Sequence, residues 1–208
     1  MGTSTKQRIL DAAIRLFNES GVANVRLQHI ADESGISVGN LAYHFKNKEA
    51  IVSSVYERLF EEFAHILASY LLNPTLSDFN QQLTQYYSFF TRYKFYLIDL
   101  FEVERSYPNI MDRWHQMVGK MLIQIRKRLD YYVQRGVLQP EPIEGIYDSL
   151  TRSIWMSIVF WMPQQVLKGQ PTTETHFKQG VWSLISPYMT QRGREEYATE
   201  VQPADIMR

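Results

Sequence analysis

The sequence predicts an all-α protein, with a small N-terminal three-helix unit in residues 1–48 joined to a larger helical bundle in residues 49–208. Apolar residues recur at helical spacing along the whole chain, while alternating strand patterns are nearly absent. Breaks rich in Gly, Pro, Asn and Ser separate the helical stretches. Between Leu27 and Phe45, two short helical patterns meet at a glycine, as two helices crossing over a tight turn require.

From Ile9, apolar residues return at Ala12, Ala13, Leu16 and Phe17, one face of a helix. Ser20-Gly21 ends it, with Gly21 free to take a left-handed C-terminal position. A second helix covers about 27–34 and a third about 37–45. A fourth begins near Lys48 and carries Val52, Val55, Leu59, Phe63, Ile66 and Tyr70. Asn73-Pro74-Thr75 breaks it and offers Thr75 as the next N-cap. Further helices are expected at about 76–92, 94–105, 109–135, 144–168 and 173–190. The polar stretch 191–208 is expected to fray or to form one short exposed helix.

Composition narrows the function classes. The 208 residues carry 22 basic and 22 acidic side chains, so any affinity for nucleic acid must be local. Residues 1–48 hold six basic against four acidic side chains, a surplus of two. There is no cysteine, which excludes disulfides, thiolate nucleophiles and zinc–thiolate sites. The N-terminus is polar and shows no secretory signal. The most apolar stretch, Ile154–Met162, falls far short of the roughly 20 residues needed to cross a bilayer. A cytoplasmic protein without a membrane role is expected.

The segment Leu27–Phe45 reads LQHIADESGISVGNLAYHF. Ala31 supplies the small residue a close crossing needs, and Gly35, four residues on, tolerates the positive φ of the turn. Ile30, Ile36, Val38, Leu41 and Phe45 are placed to pin the second helix onto the first. Ser37, Asn40 and His44 then align on the opposite face, with Gly39, Tyr43 and Lys46 alongside. A short helix with a polar, hydrogen-bonding face suits the major groove of DNA. Asn40 can pair with an adenine edge, Gly39 permits close approach of the backbone, and Lys46 and Lys48 are positioned for phosphates.

These residues also carry a resemblance. GVANVRLQHIADESGISVGNLAYHFKNKEAI resembles the N-terminal domain of the tetracycline-repressor (TetR) family, through Ile30-Ala31, Gly35-Ile36-Ser37, Gly39 and Tyr43 to Glu49. The likeness covers about residues 5–52. It implies a sequence-specific regulator that binds a double-stranded DNA operator as a homodimer, most often a repressor released by a small effector. The DNA-facing set is Arg26, Gln28, Ser37, Val38, Gly39, Asn40, Tyr43, His44, Lys46 and Lys48. Two positions depart from the family's pattern. Arg26 stands where a Thr or Ser usually caps the second helix, and Ala42 where a Tyr usually contacts the backbone. Arg26 can instead hold a phosphate with its planar fork of donors.

The bundle carries no motif of its own. Its distinguishing content is aromatic, and an apolar or aromatic effector is the ligand such side chains suit. Tyr86, Phe90, Trp114 and Trp155 are the candidate effector-binding residues. Asp99 and Glu102, flanking Phe101, and His115 and Arg152, on long helices beside tryptophans, are expected to make structural ion pairs. The helix around Ser153–Met162 is apolar nearly all round, and Gln179–Tyr188 supplies a second apolar stretch, so the dimer is expected through about 144–168 and 173–190. Pro163 should kink or end its helix.

An enzyme is not expected: the five histidines are scattered, and no nucleophile elbow, P-loop or dinucleotide fingerprint occurs. No cofactor or metal is implied. The alternative, which Arg26 and Ala42 favour, is a helical ligand-binding or interaction protein with weakened DNA binding.

Overall fold

The computed structural model describes residues 4–69 and 74–202, leaving aside the side chains of residues 101, 102, 104, 108 and 109. The expectations for Tyr70, Asn73, Phe101, Glu102 and the last six residues lie outside what is described. Among the described residues every regular element is helical: α1 (Thr5–Asn24), α2 (Leu27–Ser34), α3 (Val38–His44), α4 (Lys48–Ala68), α5 (Leu76–Arg92), α6 (Lys94–Ile98), α7 (Leu100–Ser106), α8 (Pro108–Gln134), α9 (Ile146–Leu167), α10 (Glu174–Ile185) and α11 (Gln191–Glu200). The chain forms two compact units, Met1–Ala64 with Thr91–Trp114, and His65–Phe90 with His115–Arg208.

The first unit is built on α1. Ser4 caps it by accepting the Gln7 N–H at 3.2 Å, and Ile9, Ala12, Ala13 and Phe17 bury the predicted face. Phe17 meets Phe95 of α6 edge to face, with ring centroids 5.5 Å apart. Burying a side chain of this size is worth about 2 kcal/mol. The sequence places a helix end at Gly21, and the helix does break there. Its φ of 77° with ψ of 156° is the glycine-only extended region, however, and not the left-handed helical one that was expected. The reason lies beside it: the Val22 N–H turns away from α1 to donate to Asp99 Oδ2 at 2.9 Å.

Asn18 fixes the same corner. Its amide donates to the Arg92 carbonyl at 2.8 Å and its oxygen accepts the Phe95 N–H at 2.9 Å, so one side chain spans the junction of α5 and α6. Arg58 of α4 pairs with Asp11 of α1 at 2.5 Å. The single helix expected over 94–105 is two, because the backbone leaves helical geometry at Asp99, with φ −96° and ψ 13°.

In the second unit Thr75 does cap α5. It accepts the Asp78 N–H at 3.1 Å, while Asp78 accepts the Thr75 N–H at 2.8 Å, a reciprocal box. Arg128 of α8 donates to Gln82 at 2.8 Å and lies 4.6 Å from the Phe79 ring centre. Trp182 of α10 stacks edge-on against Phe79 at 5.4 Å, and its indole N–H reaches Asn80 at 3.1 Å. Pro163 sits inside α9, which runs on to Leu167. The predicted helix over 173–190 closes as a 3₁₀ turn, Ser186–Tyr188.

The polar tail forms one short, largely exposed helix, α11, as one of the two expectations had it. Leu138 and Met189 form an isolated antiparallel bridge, and Arg135 pairs with Glu196 of α11 at 2.9 Å. Gly193 packs so tightly that a Cβ there would stand 2.2 Å from the Val137 carbonyl oxygen. His115 and Arg152 are exposed, so they are not the buried ion-pair partners expected; Arg152 donates to Ser149 Oγ at 3.0 Å. Asp99 likewise serves a backbone N–H.

Candidate nucleic-acid interface

The turn between α2 and α3 follows from Gly35. Its φ of 66° and ψ of 38° are left-handed, and the N–H groups of Gly35 and Ile36 return to the Asp32 and Ala31 carbonyls, each at 3.0 Å. Arg8 reaches over from α1 to donate to the Ser34 carbonyl at 2.5 Å. Ser37 then caps α3 by accepting the Asn40 N–H at 3.1 Å, so this hydroxyl shapes the helix as well as facing outward.

Burial divides α3 into two faces. Leu41 is fully buried and Phe45, just past the helix, nearly so, as are Ile30 and Ala31 of α2. Ser37, Gly39, Asn40, Ala42 and Tyr43 are exposed, and Tyr43 stands out at 86 %. Of the predicted outward set, Ser37, Gly39, Asn40, Tyr43 and Lys46 are exposed and His44 is half-buried. Val38 is the correction: at 36 % exposure it does not pin α3 as expected. It opens a helix only seven residues long and lies at its rim, available to a partner. Ile36 is half-buried, so the packing rests on Leu41 and Phe45.

His44 is half-buried and meets Tyr43 edge to face at 5.3 Å. Lys46 is exposed. Lys48 is half-buried and donates to the Ala23 carbonyl at 3.1 Å, tying the start of α4 to the end of α1. Arg26 occupies the N-cap of α2 with an exposed side chain. Arg26 makes no side-chain cap, and His29 Nδ1 accepts the Arg26 N–H at 3.3 Å, the reverse half of a capping box. Gln28 is exposed and donates to Asp32 at 2.7 Å, one turn along α2. Sequence reasoning missed Asn18, Asp99 and Arg8, which hold this unit together through backbone groups that no spacing reveals.

The four candidate effector residues fall in both units. Trp114 belongs to the first unit, buried edge-on to Tyr96 at 5.0 Å. Tyr86, Phe90 and Trp155 belong to the second. Tyr86 is buried, and burial pushes its phenol pKa up. The indole N–H of Trp155 is buried with no hydrogen-bond partner among the described residues.

Residues 9–55 match the pattern of bacterial regulatory proteins of the tetR family, and residues 55–197 match that of a TetR bacterial transcriptional repressor. The chain is 27 % identical over 85 residues to the Probable HTH-type transcriptional regulator YttP of Bacillus subtilis (strain 168), covering 41 % of each protein. It is 42 % identical over 53 residues to the HTH-type transcriptional regulator AcrR of Shigella flexneri, covering 26 % of this chain and 25 % of that protein. The matched stretch thus spans at most about two-fifths of these relatives' own length. The crystal structure of a TetR-family transcriptional regulator from Marinobacter aquaeolei VT8 superposes with a TM-score of 0.81 at 26 % identity, over 96 % of this chain and 98 % of that one. With both patterns matched end to end over most of its length, the chain belongs to the TetR family of bacterial transcriptional regulators.

Proposed function

We propose that the chain is a homodimeric repressor whose α3 enters the major groove of an operator, and which a small apolar or aromatic effector bound in residues 49–208 releases. The observation that carries this reading is the division of α3: Leu41 is buried while Gly39, Asn40 and Tyr43 are exposed on the other side. In this reading Asn40 and His44 address base edges, Gly39 and Val38 allow close contact, and Ser37 and Tyr43 reach phosphates or bases. Arg26, Gln28, Lys46 and Lys48 flank that face and hold the phosphate backbone. Residues 1–48 form the DNA-binding domain and residues 49–208 the effector-binding and dimerisation domain.

What one chain leaves uncovered supports dimerisation through α9 and α10. Met156 is 47 % exposed, and Trp155, Phe160 and Leu184 are only half-buried, on helices otherwise rich in apolar residues. Ser153, Ser157 and Gly180 line the shallow groove between them, small enough to admit a partner helix. Two recognition helices are needed because one makes too few contacts for specific binding.

The test is fluorescence anisotropy with the DNA upstream of the chain's own gene, over a salt series. Specific binding should weaken steeply as salt rises, because phosphate contacts release counterions. Binding indifferent to both sequence and salt would leave the chain a ligand-binding or interaction protein.

A further inference from the structure

Two phenol hydroxyls in the first unit, those of Tyr56 on α4 and Tyr96 on α6, are buried with no hydrogen-bond partner among the described residues. Both side chains are essentially inaccessible, and their rings meet at 70° with centroids 6.0 Å apart. Other buried tyrosines find partners: Tyr93 donates to Glu62 at 2.9 Å, Tyr132 to the Thr75 carbonyl at 2.8 Å and Tyr147 to the Gln139 carbonyl at 2.6 Å. An enclosed hydroxyl without a partner loses its bonds to water and regains nothing. Phenylalanine would fill the same space without that cost, so the adjacent pair calls for a ligand group to satisfy it.

The surroundings set the ligand's chemistry. Phe60 and Phe95 lie 6.1 and 5.9 Å from the Tyr56 ring, and Trp114 lies 5.0 Å from that of Tyr96, an aromatic wall suited to a flat apolar body. Burial raises the Tyr56 pKa, and the nearby Asp99 carboxylate raises it further. The phenol therefore stays a donor, and the same carboxylate disfavours an anion alongside. We propose that Tyr56 and Tyr96 are the polar recognition pair of the effector site, which takes an uncharged aromatic molecule whose hydroxyl or carbonyl oxygen accepts from both phenols. The proposal rests on the effector-controlled reading above. Tyr96 lies three residues before Asp99, which holds the Val22 N–H, so occupancy of the pair is felt at the end of α1.

The test is calorimetric titration of the full chain with 2-naphthol, 2-naphthoate and 2-naphthylmethylammonium, on wild type, Tyr56→Phe, Tyr96→Phe and the double variant. The neutral probe should bind about tenfold more tightly than either ion, and each single substitution should weaken it about fivefold or more. The melting temperature of the unliganded variants should stay level or rise, because an unsatisfied polar group has been removed. Binding of none of the probes, equal binding of all three, or undiminished binding to the double variant would overturn the proposal. A marked fall in melting temperature on losing either hydroxyl would also overturn it, as the sign of a trapped water already satisfying them. Operator binding measured without probe separates the two readings: a chain that binds operator but fails these titrations loses only this proposal.

Discussion

The Asp99 carboxylate accepts the Val22 N–H at 2.9 Å, joining the break in α1 to the break between α6 and α7. Gly21, next to it, has the φ of 77° that brings that N–H round, and a Cβ on it would stand 3.3 Å from Asp99 Oδ2. Asp99→Ala should therefore cost about 1–3 kcal/mol by stranding the Val22 amide. Gly21→Ala should cost about as much through backbone strain. Urea unfolding reads both, and hydrogen exchange at the Val22 amide should lose its protection only if the carboxylate is its partner.

Gly193 has a different reason to be glycine: the Val137 carbonyl oxygen would lie 2.2 Å from its Cβ, and backbone does not yield cheaply. Gly193→Ala should push α11 off the 136–138 segment and destabilise by about 2 kcal/mol or more. Calorimetry gives the size. A neutral result would show that α11 does not pack there in solution.

Glu174 supplies a pH dependence whose sign can be worked out. Lys178, at 2.6 Å, and Thr84, at 2.8 Å, both bond its carboxylate and lower its pKa from the ordinary 4.5. A depressed carboxylate pKa stabilises the folded chain above the unfolded value, and that contribution disappears as pH falls through the folded one. Wild type should thus be more stable than Glu174→Gln at pH 7, with the gap closing below about pH 4.5. A gap unchanged at acid pH would remove the ion pair from the explanation.

On α9, Met156 is 47 % exposed in a single chain. Met156→Glu should bury two like charges at a twofold interface and shift the chain to monomer in sedimentation analysis, with loss of tight operator binding. A variant that stays dimeric would move the interface elsewhere.

Much of this was legible in the sequence, and the parts that were not share a physical cause. Helical periodicity and Gly35 located α2, α3 and their turn, because packing between neighbours in sequence leaves its mark as spacing. The outward set around Asn40 and Tyr43 followed by subtraction. Asn18, Asp99 and Arg8 were not legible as joints because each bonds a backbone group of a distant segment, and backbone groups look alike in every sequence. The ψ at Gly21 belongs to the same class: glycine announced freedom, and only Asp99 decided how it was used. Val38 failed as a packing residue because spacing cannot tell the rim of a seven-residue helix from its centre. The tail forms the short, largely exposed helix its polarity allowed, but what holds it was not legible: Gly193, which has no side chain, sits against Val137, Arg135 pairs with Glu196, and Tyr197 meets Trp182 edge-on.

The most direct test of α3 as the reading element is the operator affinity of Asn40→Ala and Tyr43→Ala beside Arg192→Ala, an exposed control on α11, by anisotropy at fixed salt. Both α3 variants should fold as wild type, since neither side chain is buried, yet Asn40→Ala should lose about 1–3 kcal/mol of affinity, with relaxed discrimination at one base pair. Tyr43→Ala should weaken binding, and Arg192→Ala should leave it unchanged. Wild-type affinity and sequence preference in both α3 variants would contradict the account.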